Sequence, residues 1–234
     1  MKNSTERIRP LVELCGDGDL LAAVTDYLPD CDLFVDACAG DGHVFHNYRR
    51  AKSYWINDPD RFTWRVLSAI LNVSRSKFDM PLSRDCELLA ILAKDSPQGV
   101  VNWDDIVRGS FPDESYKLTN LPLSALARQI VYHGQSSMVF LRVPIEPRKK
   151  QSHDFMVESA EVVSAIRMMS LSKQIMWIAA ATGSDVDVYL KAHPEAFVYD
   201  VGRVEATIWD VRFMNGRRIP PTGDYLVSNV EFIR

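Results

Sequence analysis

Two aspartates and two glycines in the first quarter of the chain have the types and spacing of a nucleoside-binding turn. Asp36 closes an apolar run, and Gly40 and Gly42 follow it within LFVDACAGDGHVFHNYRR (33–50). Asp58 ends the next run, YWINDPD (54–60). Glycine lets a backbone come close to a ligand, and a carboxylate after the second strand of such a unit is placed to accept hydrogen bonds from ribose hydroxyls. A GxG alone reads as a tight strand-to-helix turn. The acidic residue at the right distance is what favours a nucleoside-type ligand.

A second group is basic. Arg142, Arg148, Lys149 and Lys150 lie in and after VFLRVPIEP (139–147), and Arg217 and Arg218 lie in the turn-rich link MNGRRIPPTGD (214–224). Such residues at a strand end can meet phosphates. A solvated loop accounts for them equally well, because His153 and Asp154 dilute the patch. No metal site is expected: His43 and His46 have helical spacing but no third ligand nearby in sequence. Cys15, Cys31, Cys38 and Cys86 form no CxxC pair, which argues against zinc and against a disulfide framework. No GxSxG or SxxK motif points to a nucleophile.

These residues need elements to position them. The 234 residues, 47% hydrophobic and 25% charged, suffice for one sizeable α/β domain, read as spanning 1–234. A net charge of −4 argues against a strongly basic nucleic-acid binder, though not against a local basic face. No apolar run approaches the roughly 20 residues of a membrane span, and scattered apolar cysteines suit a reducing compartment, so a cytoplasmic protein is expected. Strands are predicted at 33–36, 53–57, 100–103, 138–143, 174–180, 196–201, 206–213 and 225–232. Helices are predicted at 19–27, 60–71, 85–94, 157–169 and 185–192. Trp55, Trp103 and Trp177 fall on strands and are expected in the core, although Trp55, near the end of the second strand, is also placed to line an adenine pocket. The alternation predicts a parallel sheet with helices on both faces, and the closely spaced last strands predict an antiparallel closing hairpin. Residues 62–99 read as a short helical insertion.

The order of these motifs resembles the Dam-type, or alpha-group, adenine-N6 DNA methyltransferases. The likeness runs through RPLVELCGDGDLLAAVTDYLP (9–29), FVDACAGDGHVF (34–45), IND (56–58), VVNWDDI (100–106), VFLRVPIEP (139–147), IMWIAAATGSD (175–185) and the closing block 201–230. It covers nearly the whole chain, and no single motif is complete. The resemblance implies a Rossmann-like methyltransferase sheet. It implies S-adenosylmethionine held by Asp36, Gly40, Gly42 and Asp58, with Asp104 or Asp105 against the adenine ring.

The departures fall on the chemistry. The family's Asp-Pro-Pro-Tyr accepts the target amino hydrogens and stacks on the flipped base. Here Val143, Pro144, Ile145 and Glu146 take its place. Valine cannot accept a hydrogen bond, glutamate cannot stack, and Glu146 reads as a loop charge. The first motif lacks the lysine that would meet the cofactor carboxylate, and Asp17, Asp19 and Asp41 put like charge nearby. Residues 62–99 carry no readable Asn-Arg-rich recognition hairpin. The expectation is therefore a degenerate relative, a pseudoenzyme in which S-adenosylmethionine binding is weak or lost. It would act by binding DNA, a nucleotide-like ligand or a protein partner. Two alternatives stand beside it. One is an active adenine methyltransferase with a changed loop, in which Pro144 and Glu146 serve the substrate. The other is an interaction subunit or interference factor of a DNA modification system. A shortened, eroded copy suits a phage or mobile-element origin.

Overall fold

A computed structural model describes residues 25, 28–40, 42, 44–45, 48–75, 116–145, 155–201, 208–210 and 224–231. Eight strands form one sheet: β1 (Cys31–Asp36), β2 (Ala51–Asn57), β3 (Tyr116–Thr119), β4 (Ser137–Leu141), β5 (Ile175–Thr182), β6 (Phe197–Val201), β7 (Ile208–Asp210) and β8 (Asp224–Ser228). Four helices are described: α1 (Arg61–Arg75), α2 (Leu123–His133), α3 (Ser159–Ser170) and α4 (Gly183–Ala192). The strand order is β3-β2-β1-β4-β5-β8-β6-β7. Neighbours are parallel from β3 through β5, while β8 runs antiparallel to both β5 and β6. This is the Rossmann-like methyltransferase sheet expected from the sequence. Its antiparallel closing element is specific in form: β8 enters between β5 and β6, and β7 pairs antiparallel on the outer side of β6.

The strands read as unbroken apolar runs because both faces of the sheet are covered. Side chains alternate between two cores. Leu33 and Val35 of β1, Trp55 of β2, Val139 and Leu141 of β4 and Trp177 and Ala179 of β5 face one core. Leu126 and Ile130 of α2, Val162 and Ile166 of α3 and Val186 and Tyr189 of α4 fill it from above. Phe34, Tyr54, Ile56, Met138, Phe140 and Ile178 face the other, with Phe45, Tyr48 and Leu67. Phe34 and Tyr48 pack there with ring centroids 4.6 Å apart. Trp55 and Trp177 are core residues as expected, and each indole finds an acceptor: Trp55 Nε1 donates to Thr119 Oγ1 (2.8 Å) and Trp177 Nε1 to Ser170 Oγ (2.9 Å).

Two elements differ from the sequence reading. The strand beside β2 is Tyr116–Thr119, a segment with no predicted strand, whereas 100–103 lies outside the described residues. This strand is short and half-exposed, and its Lys117 lies 3.6 Å from the ring centre of Trp55, a cation–π contact that covers the indole. Helix α2, also not predicted, joins it to β4. Leu123, Leu126, Ala127 and Ile130 recur at helical spacing on its buried face. The helix stops at Gly134, which adopts φ +62° and bonds its N–H back to Val131 O (3.3 Å). The predicted insertion at 62–99 begins with α1, whose helix continues to Arg75, beyond the predicted end at 71; its remainder lies outside the described residues, as do Trp103 and the predicted helix at 85–94.

Gly134 gives a direct check on this stop. A Cβ there would meet nothing within 4 Å, so only the left-handed backbone opposes a side chain. Gly134→Ala should lower stability by about 1 kcal/mol in urea unfolding, with Gly134→Asn costing less, since asparagine tolerates that conformation. Equal stability of all three proteins would show that the turn relaxes.

Candidate functional site

In an open α/β sheet, ligands sit beyond the carboxyl ends of the strands, where the strand order reverses. Here that point lies between β1 and β4, since β2 and β3 extend to one side and β5 to the other. The chain leaving β1 is held at this point. Ala37 N–H donates to Phe140 O of β4 (2.9 Å), and Ala39 N–H donates to Asn57 O of β2 (3.0 Å). Gly42 N–H then turns back to Ala39 O (2.7 Å). Gly40 and Gly42 have φ of +57° and +82°, the left-handed region in which glycine carries no penalty. Both glycines singled out from sequence therefore shape the turn.

Asp58 closes the turn from the other side. One carboxylate oxygen, Oδ2, accepts the Gly40 N–H (2.9 Å), and the other, Oδ1, accepts the Asp60 N–H (2.9 Å). The side chain is only 5% exposed. Burial pushes its carboxyl up from the usual value near 3.8 to about 7; the bonds from Gly40 and Asp60 pull it back down, and the charge of Asp60 adds a smaller push upward. The residue expected from sequence to face a ribose is thus the clamp of the glycine turn. An ionised carboxylate has about four acceptor sites, so two bonds leave capacity for a ligand's hydroxyls.

Asp60 has a separate task. Its carboxylate accepts the N–H groups of Phe62 (3.2 Å) and Thr63 (3.1 Å) and the Thr63 hydroxyl (2.7 Å). It is the N-cap of α1, satisfying donors that the helix itself leaves open. Asn120, just past β3, donates through Nδ2 to Asp58 O (2.7 Å) and Pro59 O (3.1 Å). The exits of β1, β2 and β3 are therefore one connected rim.

Of the other residues singled out from sequence, Asp36 ends β1 fully buried beside this turn. Val143 and Ile145 follow β4 and are 3% and 1% exposed, packed into the core. Pro144 O accepts the Val157 N–H (2.9 Å), and Ile145 forms a parallel bridge with Val157. Arg142 is half-buried at the exit of β4. Glu146, Asp104, Asp41, Arg148, Lys149, Lys150, Arg217 and Arg218 lie outside the described residues. The rim residues that sequence reasoning missed are Thr119, Asn120 and the side chain of Asn57. Asn57 was visible only as the neighbour of Asp58, and the other two belong to the strand that was not predicted. Among the described residues no group of three or more His, Cys, Asp and Glu side chains is placed to hold a metal ion. No helix among them is long and apolar enough to cross a membrane.

No protein-family model matches the sequence, and no curated protein matches it. Among solved structures, the chain is similar to a proposed methyltransferase of Streptococcus mutans in complex with SAH, with 14% identity, a TM-score of 0.43, and coverage of 95% of this chain and 98% of that one. It is also similar to precorrin-6y C5,15-methyltransferase of Geobacter metallireducens, with 9% identity, a TM-score of 0.42, and coverage of 97% and 95%. At such scores the strand order, with its antiparallel β8, is what places this chain in the methyltransferase fold.

The burial of Asp58 has a signature in pH. Its folded value lies above its unfolded one, so folding favours the protonated form. Stability from this group is full below about pH 4 and is lost as pH rises to about 7, a swing on the order of 4 kcal/mol. Urea unfolding at pH 5 and pH 8 should show the wild type losing more stability across that interval than Asp58→Asn. Parallel pH profiles would place the carboxylate in water instead.

Proposed function

We propose that this chain is a methyltransferase-fold protein that binds an adenosine-type ligand and does not carry out adenine-N6 transfer. The single observation that carries the second half is the exit of β4. A site that activates an exocyclic amine needs acceptors aimed at its hydrogens. At that position stand two buried aliphatic side chains, Val143 and Ile145, and the carbonyl of Pro144 already accepts the Val157 N–H. The loop is tied into the sheet's core by the Ile145–Val157 bridge, so its apolar character is part of the packing.

The first half is supported by the turn after β1. S-adenosylmethionine, when bound to such a turn, supplies an electrophilic methyl group on a sulfonium. Gly40 and Gly42 keep the backbone open to close approach, and Asp58 holds Gly40 while keeping acceptor capacity for a ribose. The residues present fit the nucleoside part of that cofactor. Among the described residues, no side chain at the exit of β4 is an acceptor for a substrate amine. The protein acts by binding, and DNA or a protein is the partner class that its ligand-loaded surface would meet.

Calorimetric titration with S-adenosylmethionine and S-adenosylhomocysteine tests the ligand, and transfer of a labelled methyl group to adenine-containing DNA tests the chemistry. Both ligands should bind, and Asp58→Ala should weaken them by roughly tenfold or more, the scale of a charge-assisted hydrogen bond. No label should reach DNA above the Asp58→Ala control. Transfer by the wild type would overturn the degenerate reading, and absence of any binding would overturn the ligand.

A further inference from the structure

The side chain of Asn57 sits at the centre of the rim, fully buried at the end of β2. Its Nδ2 donates to Ala37 O (3.0 Å) in the loop after β1 and to Leu121 O (3.1 Å) in the loop after β3. Its Oδ1 accepts the Thr119 hydroxyl (2.8 Å) and the Leu121 N–H (2.9 Å). A primary amide offers two donors and two acceptor lone pairs, and all are used. Only this orientation works, because a flipped amide would aim its NH₂ at the Leu121 N–H. The partners come from segments 20 and 64 residues away. The main-chain carbonyl of the same residue accepts the Ala39 N–H, next to Gly40.

We propose that Asn57 is a positioning residue that couples the glycine turn after β1 to the loop after β3. Resting on the reading that an adenosine-type ligand occupies this rim, the coupling passes order from one loop to the other. A saturated buried amide has no slack. If the Leu121 side of its bonding shifts, the Nδ2–Ala37 bond must shift with it, and a buried polar group left unpaired is costly. The turn carrying Gly40 then loses part of its support. A purely local pin would instead hold each loop independently.

Amide hydrogen exchange, read residue by residue on the ligand-free full chain, separates the two. Thr119→Val removes the bond to Asn57 Oδ1 and the acceptor of Trp55 Nε1 and leaves the backbone intact; these bonds, and that of the Thr119 carbonyl to the Asp58 N–H, do not reach the turn at 37–42. Coupling predicts that the amides of Leu121, Ala39 and Gly40 all exchange about tenfold faster in this variant, the scale set by loss of the bond to Asn57, while Trp177 and Ile178 of β5 stay at wild-type rates. Asn57→Ser should accelerate the same set further. Faster exchange at Leu121 alone, or at none of the three, overturns the proposal. Should Asn57→Ser unfold β5 as well, Thr119→Val decides. With S-adenosylhomocysteine added to the wild type, Leu121 and Gly40 should slow together. Slowing at one loop only overturns the transfer of order, and slowing at neither counts against the ligand while the ligand-free result still judges the coupling.

Discussion

A strand buried on both faces can place its polar side chains only at its ends. That constraint organises this molecule. β1 lies between β2 and β4 with apolar side chains above and below, so its carboxylates stand near its two ends, Asp32 at the start and Asp36 as the last residue. β2 does the same with Asn57, and Asp58 follows directly. Buried polar groups therefore collect along one rim, and each must be paired there. The network of Asp58, Asn57, Thr119 and Asn120 follows from the burial of the sheet.

The rim is uneven, and the unevenness is informative. On the β1–β2 side the sequence has spent glycine and buried carboxylate, both of which carry a folding cost. On the β4 side it has spent valine, proline and isoleucine, which add to the core. A site under demand for proton handling keeps costly groups where the chemistry happens. Among the described residues, the left-handed glycine turn and a buried carboxylate that clamps it stand together at the exits of β1 and β2.

Much of the frame was legible because burial leaves a strong mark. β1, β2, β4 and β5 are apolar runs separated by helices, which marks a parallel sheet; the order in which they pair was not legible. β3 was not legible. An edge strand of four residues, with Lys117 in its middle, looks like loop until the cation–π contact with Trp55 is seen. Helix α2 did carry a signal, in Leu123, Leu126, Ala127, Ile130 and a terminal Gly134, but its apolar face is narrow and partly alanine. The site divides in the same way. A carboxylate after β2 could be placed from spacing alone. That its oxygens turn onto Gly40 and Asp60 could not, nor could the bonds of Asn57 to residues far along the chain, because both are properties of the assembled rim.

The place of β8 bears on how the chain is made. Residues 224–228 fill the gap between β5 and β6, so β6 and β7 join the sheet only through a strand that comes after them. Until that strand leaves the ribosome, β5 presents its full length, from Ile175 to Thr182, as an open apolar edge. Unpaired edges of this kind invite pairing with other chains. The nascent protein thus passes through a vulnerable interval that lasts as long as synthesis of residues 183–228, and a chaperone acting on it would find its target at the edge of β5.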